Sequence, residues 1–322
     1  MSNDICRLKE SVERKHVRYQ NRYGIALAGD LYTAKGLDQN RSYPAIVVGA
    51  PYGGVKEQGP CVYAGELARR GFVVLTFDPC YMGESGGEPR HVSSPDLFSE
   101  NISAGVDYLG LLPCVDRERI AALGICGSGG FALSAAAADT RIRAVVTASM
   151  YDMSVAARLG LTPEQLQERK EKLSLQRWKD AENGTPEYIP TFPEEAVTEI
   201  PDELQGILRE FYEFYATGRG HHPNALGGFT TTSDLSFINY ALNDHIAEIS
   251  PRPILFIVGE QAESRFFSDM AFERAAEPKR MLVVPDCNHV DLYDDTSKIP
   301  FEAIEAFLRD SLCGTDCDQK EA

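Results

Sequence analysis

The sequence predicts an α/β fold in which helices cover both faces of a mainly parallel central sheet. The first observation is that six short runs, rich in Val, Ile and Leu, are apolar almost without interruption. Strands that are buried on both faces of a sheet have this pattern. The second observation is that helix-like segments separate these runs, as expected where consecutive strands are parallel. The third is a stretch typical of an antiparallel hairpin, residues 16–34, which leads into the sheet.

The expected core strands are ordered along the chain with one long interruption. After the hairpin, which supplies two strands, the third to eighth strands are expected at residues 43–50, 72–78, 119–126, 142–149, 253–260 and 280–286. Apolar residues at helical spacing (Ile304, Phe307, Leu308 and Leu312) predict a C-terminal amphipathic helix.

Residues 151–244 lack any buried-strand pattern and predict a helical cap inserted after the sixth strand. Thr162 followed by Pro163 is a helix start signal within this segment. The expected division is therefore a core made of residues 1–150 and 245–322, with residues 151–244 as the cap.

Composition limits the classes of partner. The chain has 322 residues and a formal net charge of −16, which argues against nucleic acid and anionic membrane as partners. The N-terminus is polar and no apolar run is long enough to span a bilayer, so a cytoplasmic protein is expected. The eight cysteines show no framework of pairs, and we expect reduced thiols, with Cys313 and Cys317 incidental. No metal or other cofactor is predicted, and a homodimer is left open.

A possible nucleophile lies in GICGSGG, residues 124–130, between an apolar run and an Ala-rich helix. A strand, a tight turn and a helix form a nucleophile elbow, which requires small residues two before and two after the nucleophile. Cys126 and Ser128 compete for the role. We favour Cys126, because its frame places Gly124 at the crowded position and Cys126 at the strand end. The helix N-terminus is expected to lower the pKa of the Cys126 thiol.

The remaining catalytic groups are predicted from their positions in the chain. His289 follows the last core strand and is the expected base. The acid is expected to be Asp152, after the sixth strand, or Glu260, after the seventh. Glu263 and Asp291 are further alternatives. Ala262 stands where an acid is often found.

Oxyanion donors and substrate contacts complete the expected site. The backbone amides of Gly127 and Tyr52 are the expected oxyanion donors, to which the Tyr52 hydroxyl could add. His222 and Phe229 of the cap are expected to line the substrate pocket.

These residues, with the segments GAPYGG, FDPCYMGESGGEPR and HVDLYD, resemble the α/β-hydrolase superfamily. The Cys in GIC is similar to that of dienelactone hydrolases, and other segments resemble acetyl xylan esterases and polyketide-linked thiohydrolases. The resemblance implies an α/β-hydrolase fold and a nucleophile–acid–His order. It also implies that Asp78, Gly83 and Ser85 shape the loop after the fourth strand.

The function expected from these residues is hydrolysis of a small-molecule ester, thioester or lactone through a Cys-His-acid triad and a covalent acyl-thioenzyme. Acyl transfer through the same intermediate is one alternative. A non-catalytic protein that binds small molecules on the same scaffold is another.

Overall fold

The computed structural model describes residue 5 and residues 7–312 of the chain. Cys313 and Cys317 lie outside the described residues. The strands are β1 (Val12–Gln20), β2 (Ala26–Ala34), β3 (Tyr43–Gly49), β4 (Val73–Phe77), β5 (Val115–Ile125), β6 (Ile142–Ala148), β7 (Ile254–Gly259) and β8 (Lys279–Val284). The helices are α1 (Gly59–Ala68), α2 (Pro95–Gly110), α3 (Gly127–Ala138), α4 (Met153–Ala156), α5 (Pro163–Asn183), α6 (Gly206–Ala216), α7 (Asp234–Ile238), α8 (Arg265–Arg274), α9 (Asp291–Asp294) and α10 (Phe301–Leu312).

All eight strands form one sheet in the order β1-β2-β4-β3-β5-β6-β7-β8. Strands β4, β3, β5, β6, β7 and β8 are parallel to one another, whereas β2 is antiparallel to both β1 and β4. The predicted mainly parallel sheet with an antiparallel hairpin at its start is confirmed. Its carboxyl edge gathers the loops that follow β3, β5, β6, β7 and β8.

Each face of the sheet carries its own apolar core. Ile46 and Val48 of β3 pack with α1 and α10, whereas Ala45 and Val47 pack with α2, α3 and α8 on the opposite face. Successive side chains of a strand point to opposite faces, so a continuous apolar run supplies both cores at once. The helices therefore cover both faces, as predicted.

Between β6 and β7 the chain is mostly helical and contains α4 to α7. The helix start predicted at Thr162 is confirmed, because its side chain accepts a hydrogen bond from the Gln165 amide and the Gln165 side chain reaches back to Thr162. Short bridges such as Thr191 to Gly227 tie the connecting segments together. The division of the chain into a core and a separate cap stays a prediction. Over the described ranges, the helices are all too short or too polar to cross a membrane.

Candidate active site

The turn from β5 into α3 has the geometry of a nucleophile elbow. Cys126 lies between the two elements with a φ of 54° and a ψ of −122°. Residues that have a Cβ rarely adopt this region of backbone conformation. A Cβ on Gly124 would lie 2.1 Å from the Ser128 carbonyl oxygen, so only glycine fits there. The turn therefore raises the Cys126 side chain at the end of β5, in the frame predicted from the sequence.

Ser128 lies on the side of the turn that faces β3. Its hydroxyl donates a hydrogen bond to the Ala50 carbonyl, and its side chain is buried. A Cβ on Gly49 would lie 2.7 Å from the Ser128 Cβ, so a larger side chain than serine would collide with β3. The Ser128 hydroxyl, the alternative nucleophile, is therefore engaged in a buried hydrogen bond.

Two backbone amides converge on the Cys126 sulfur. The Tyr52 and Gly127 amides and the Tyr293 hydroxyl are placed to donate hydrogen bonds to this sulfur when it carries charge. A Cβ on Gly127 would lie 2.7 Å from the Tyr52 Cβ, which shows how closely the loop after β3 approaches α3. Converging amides beside a nucleophile form the donor pair that an oxyanion hole needs. The Tyr52 hydroxyl points elsewhere and bonds the Ser93 hydroxyl at 2.6 Å, so it does not add a third donor.

The expected lowering of the Cys126 pKa is not observed. Burial raises the pKa of this thiol, because a thiolate loses its hydration there, although the bonds from Tyr293, Tyr52 and Gly127 oppose the rise. Desolvation by burial has the largest influence on the pKa of this thiol. The resting group is therefore a neutral thiol rather than a thiolate.

His289 follows β8 and is fully buried. Its Nε2 lies 2.8 Å from the Tyr293 hydroxyl, and its Nδ1 lies 2.5 Å from the Ser264 hydroxyl. Since the Tyr293 hydroxyl is also placed to donate to the charged Cys126 sulfur, a chain of polar groups runs from the nucleophile through Tyr293 to His289 and ends at Ser264. The Tyr215 hydroxyl joins this chain at Tyr293.

The surroundings of His289 keep its imidazole neutral and fixed. The rings of Tyr151 and Phe211 meet it edge-on, with centroids at 5.5 and 5.3 Å. Burial lowers the pKa of His289 to about 3, because the charged form would lose its hydration. The Glu210 carboxylate of α6 accepts a hydrogen bond from the His289 backbone amide at 3.0 Å. An uncharged imidazole keeps a lone pair on one ring nitrogen and can accept a proton there from its hydrogen-bond partner.

The structure does not bring Asp152 to His289, contrary to the expectation. The Asp152 carboxylate caps α4, where it accepts hydrogen bonds from the Ser154 and Val155 amides and from the Asn243 side chain. Both ring nitrogens of His289 are occupied by hydroxyls instead.

The other predicted acids are also engaged elsewhere. Glu260 is exposed and accepts a hydrogen bond from the Asp286 amide. Glu263 accepts from the Ile207 amide at the start of α6, and Asp291 pairs with Lys298 and Arg219. The expectation of a carboxylate on the imidazole is thus corrected, because the Ser264 hydroxyl occupies that position.

The predicted substrate contacts have different positions. Phe229 stacks on Tyr52 with ring centroids 4.2 Å apart, and both line a cavity of about 430 Å³ under the cap. His222 is buried, and its Nδ1 accepts a hydrogen bond from the Asn224 amide, which ties it to its own turn. Phe229 therefore lies beside Tyr52 at the candidate active site. The Nδ1 of His222 instead stabilises the turn to which His222 belongs.

Tyr293, Ser264 and Tyr215 are the site residues that sequence reasoning missed. Tyr293 lies four residues after His289, a spacing that brings side chains together on one helical turn and could have identified it. Ser264 and Tyr215 carry no comparable local signal. Over residues 5 and 7–312, no group of three or more His, Cys, Asp or Glu side chains is arranged to hold a metal ion.

Comparison with known proteins agrees with the fold. The family model described as the alpha/beta hydrolase family matches residues 47–298. PA2218 of Pseudomonas aeruginosa is 49% identical over 95% of this chain and 82% of its own. The crystal structure of PA2218 superposes with a TM-score of 0.91, at 48% identity, over 96% of this chain and 97% of that chain.

Two fungal relatives are more distant. Thiohydrolase aneE of Aspergillus aculeatus is 26% identical over 90% of this chain and 91% of its own. Polyketide transferase grgF of a Penicillium species is 25% identical over 90% of this chain and 94% of its own. The GrgF crystal structure has a TM-score of 0.78, at 22% identity, over 93% of this chain and 99% of that chain, which shows a shared fold. The chain belongs to the alpha/beta hydrolase family, as its resemblance implied.

Proposed function

We propose that this protein hydrolyses a small-molecule ester, thioester or lactone, with Cys126 as the nucleophile and His289 as the base. The observation that supports this most strongly is the Cys126 sulfur itself. It stands at a strained elbow, with the Tyr52 and Gly127 amides and the Tyr293 hydroxyl directed at it. The distant relative named as a thiohydrolase is consistent with this class of reaction.

The proton path follows the hydrogen bonds. The tautomer of His289 that can act as a base has its proton on Nδ1, where it donates to the Ser264 hydroxyl, so Nε2 accepts from Tyr293. As the sulfur bonds to the acyl carbon, its proton passes to the Tyr293 oxygen while the Tyr293 proton passes to Nε2. The Tyr52 and Gly127 amides bind the carbonyl oxygen as it gains charge.

The leaving group departs with the proton that His289 has gained. This leaves an acyl-thioenzyme on Cys126 and a neutral imidazole. His289 then removes a proton from water, which attacks the thioester and releases the carboxylic acid and the Cys126 thiol. Ser264 holds the imidazole in the required tautomer throughout.

Acyl transfer to an acceptor other than water is a second candidate. Cys126 is only 5% exposed and His289 is fully buried, so bulk water has limited access to an acyl group at this position. The relative named as a polyketide transferase fits that alternative. Adding an alcohol or thiol acceptor during turnover distinguishes the two, because a transferase forms the acylated acceptor in preference to the free acid.

A panel of neutral esters, thioesters and lactones tests the proposal. We expect Cys126→Ala to reduce kcat by about 10⁴-fold or more, since the covalent route is lost. Ser128→Ala is the matched variant at the competing hydroxyl, and we expect it to keep kcat within about 10-fold, since only the hydrogen bond to the Ala50 carbonyl is lost. Turnover that survives in Cys126→Ala and disappears in Ser128→Ala would refute the assignment. An absence of turnover over the whole panel, with the ligands still bound, would favour the non-catalytic alternative.

A further inference from the structure

The cavity of about 430 Å³ under the cap adjoins the nucleophile through two shared residues. Tyr52 lines it with its ring, and its backbone amide bonds the Cys126 sulfur. Tyr215 lines it too, and its hydroxyl bonds Tyr293, which also contacts that sulfur. An acyl chain in this cavity would therefore have its carbonyl carbon at the end nearest Cys126.

The walls of the cavity are aromatic, aliphatic or backbone. Phe192, Tyr212, Leu226 and Phe229 are among the thirteen described residues that line it, and none of the thirteen has an ionised side chain at neutral pH. Burial raises the pKa of Tyr52 and of Tyr215, so these phenols stay neutral. Gly53, Gly227 and Gly228 supply stretches of wall without side chains.

One cation of the neighbouring segment, Arg219, is already paired. Arg219, which follows α6, binds Asp294 and Asp291. An anionic acyl tail inside the cavity would gain no cationic partner from the lining, and an unpaired carboxylate that loses its hydration is strongly disfavoured. The overall net charge of −16 adds a further barrier to anionic substrates.

We infer that the cavity is the acyl subsite and that its substrates carry a neutral, apolar or aromatic acyl group of medium size, whereas acyl groups with a terminal carboxylate are rejected. The volume lies in the range of pockets that bind small molecules, about 300–1,000 Å³. This inference rests on the proposed function for the position of the acyl carbon. The charge preference follows from the lining alone.

Two esters with the same leaving group and chain length provide the test: p-nitrophenyl octanoate and the mono-p-nitrophenyl ester of suberic acid, which adds a terminal carboxylate. We expect kcat/KM of the wild-type protein to be at least about 100-fold higher for the neutral ester, because the carboxylate must be desolvated. Comparable values for the two esters would overturn the inference while leaving the proposed function intact.

A charge placed in the lining should shift this preference. Leu226→Lys introduces a cation into the cavity wall while keeping the backbone bond from the Phe192 amide to residue 226. We expect the ratio of the two kcat/KM values to move about 10-fold or more towards the suberate ester, since a charge-assisted bond becomes possible. Leu208→Lys, at a side chain that is 63% exposed on α6 and outside the lining, is the matched control and should leave the ratio within about 2-fold. Equal shifts in both variants would overturn the assignment of the cavity.

The Cys126→Ala variant distinguishes failure of the proposed function from failure of the charge preference. Calorimetric titration of this variant with each ester should show binding of the octanoate ester and none of the suberate ester. If wild-type protein hydrolyses neither ester but the variant still binds only the neutral one, the proposed function fails and the charge preference stands. If the variant binds both esters equally, the inference fails whatever the turnover.

Discussion

Two buried polar clusters lie at the carboxyl edge of the sheet, and they are built in opposite ways. The charged cluster consists of Lys56, Glu57, Asp78 and Glu84, in which the Lys56 ammonium lies 2.5, 3.0 and 2.7 Å from the three carboxylates. The neutral cluster consists of Cys126, His289, Tyr293 and Ser264, joined by hydrogen bonds. The first holds one ammonium among three carboxylates, and the second has no formal charge.

The physical cause of the difference is whether each buried group has a partner of opposite charge. Burial alone would lower the pKa of Lys56, but Asp78, Glu57 and Glu84 reverse this and raise it, so the ammonium stays charged. His289 has no such partner, and burial lowers its pKa to about 3. The charged cluster fixes loops, because Asp78 also accepts hydrogen bonds from the Lys56 and Glu84 amides. The neutral cluster leaves protons free to move between hydroxyls, thiol and imidazole.

The largest expected effect on the neutral cluster comes from His289→Gln. The amide has a similar size but cannot accept the proton at neutral pH, so we expect kcat to fall about 10³-fold. Steady-state turnover of a neutral ester measures this. Glu260→Gln, at an exposed side chain, is the control and should retain wild-type kcat. Equal losses in the two variants would contradict the placement of the base.

Lys56→Met is the corresponding change in the charged cluster. Removal of the ammonium leaves the Asp78 carboxylate buried without its partner, and we expect the free energy of unfolding to fall by about 3–5 kcal/mol. Urea denaturation measures the loss. The kcat of the protein that stays folded should change little, because Lys56 does not contact the nucleophile. A loss of stability below about 1 kcal/mol would show that this cluster does not support the loops.

The pH dependence of stability separates the clusters further. The pKa of His289 is lowered from 6.5 to about 3 on folding, so the unfolded chain binds this proton more tightly. The contribution of neutral His289 to the free energy of unfolding is fully present above pH 6.5 and is lost as the pH falls towards 3. By pH 4 the loss is about 3 kcal/mol. Urea denaturation of the wild type and of His289→Gln from pH 7 to 4 should show a smaller decline in the variant; parallel declines would contradict a buried neutral imidazole.

A smaller effect is expected from Tyr293→Phe. Loss of the hydroxyl breaks the link between Cys126 and His289, and we expect kcat to fall about 10–100-fold while the free energy of unfolding falls by about 1 kcal/mol. Tyr63→Phe is the matched control, because that hydroxyl is also buried and donates to the Leu292 carbonyl at 2.7 Å. The control should lose similar stability but keep its rate. A similar rate loss in both variants would assign Tyr293 a packing role only.

The fold and the elbow could be predicted because their causes are local. Continuous apolar runs specify strands that are buried on both faces, and the crowding at Gly124 restricts where the turn can occur. Asp78, Gly83 and Ser85 also shape the loop as the resemblance implied: Ser85 donates to the Asp78 carbonyl, and a Cβ on Gly83 would collide with Asp78.

The partners of His289 could not be predicted in this way. The choice between a carboxylate and a hydroxyl depends on which side chain reaches Nδ1 in three dimensions, and four acidic residues lay at plausible sequence positions. The Asp152 side chain instead lies at the start of α4, where it accepts hydrogen bonds from the Ser154 and Val155 amides. The pKa of Cys126 also depends on burial in the folded chain, which the motif does not reveal.

The most direct test of the central claim is to identify the residue that becomes acylated. A neutral β-lactone with an octyl side chain should acylate the nucleophile, and the adduct can be located by mass spectrometry of the digested protein. We predict one acyl group per chain, on the peptide that contains Cys126, with no adduct in Cys126→Ala. An adduct on Ser128, or one that persists in Cys126→Ala, would contradict the account.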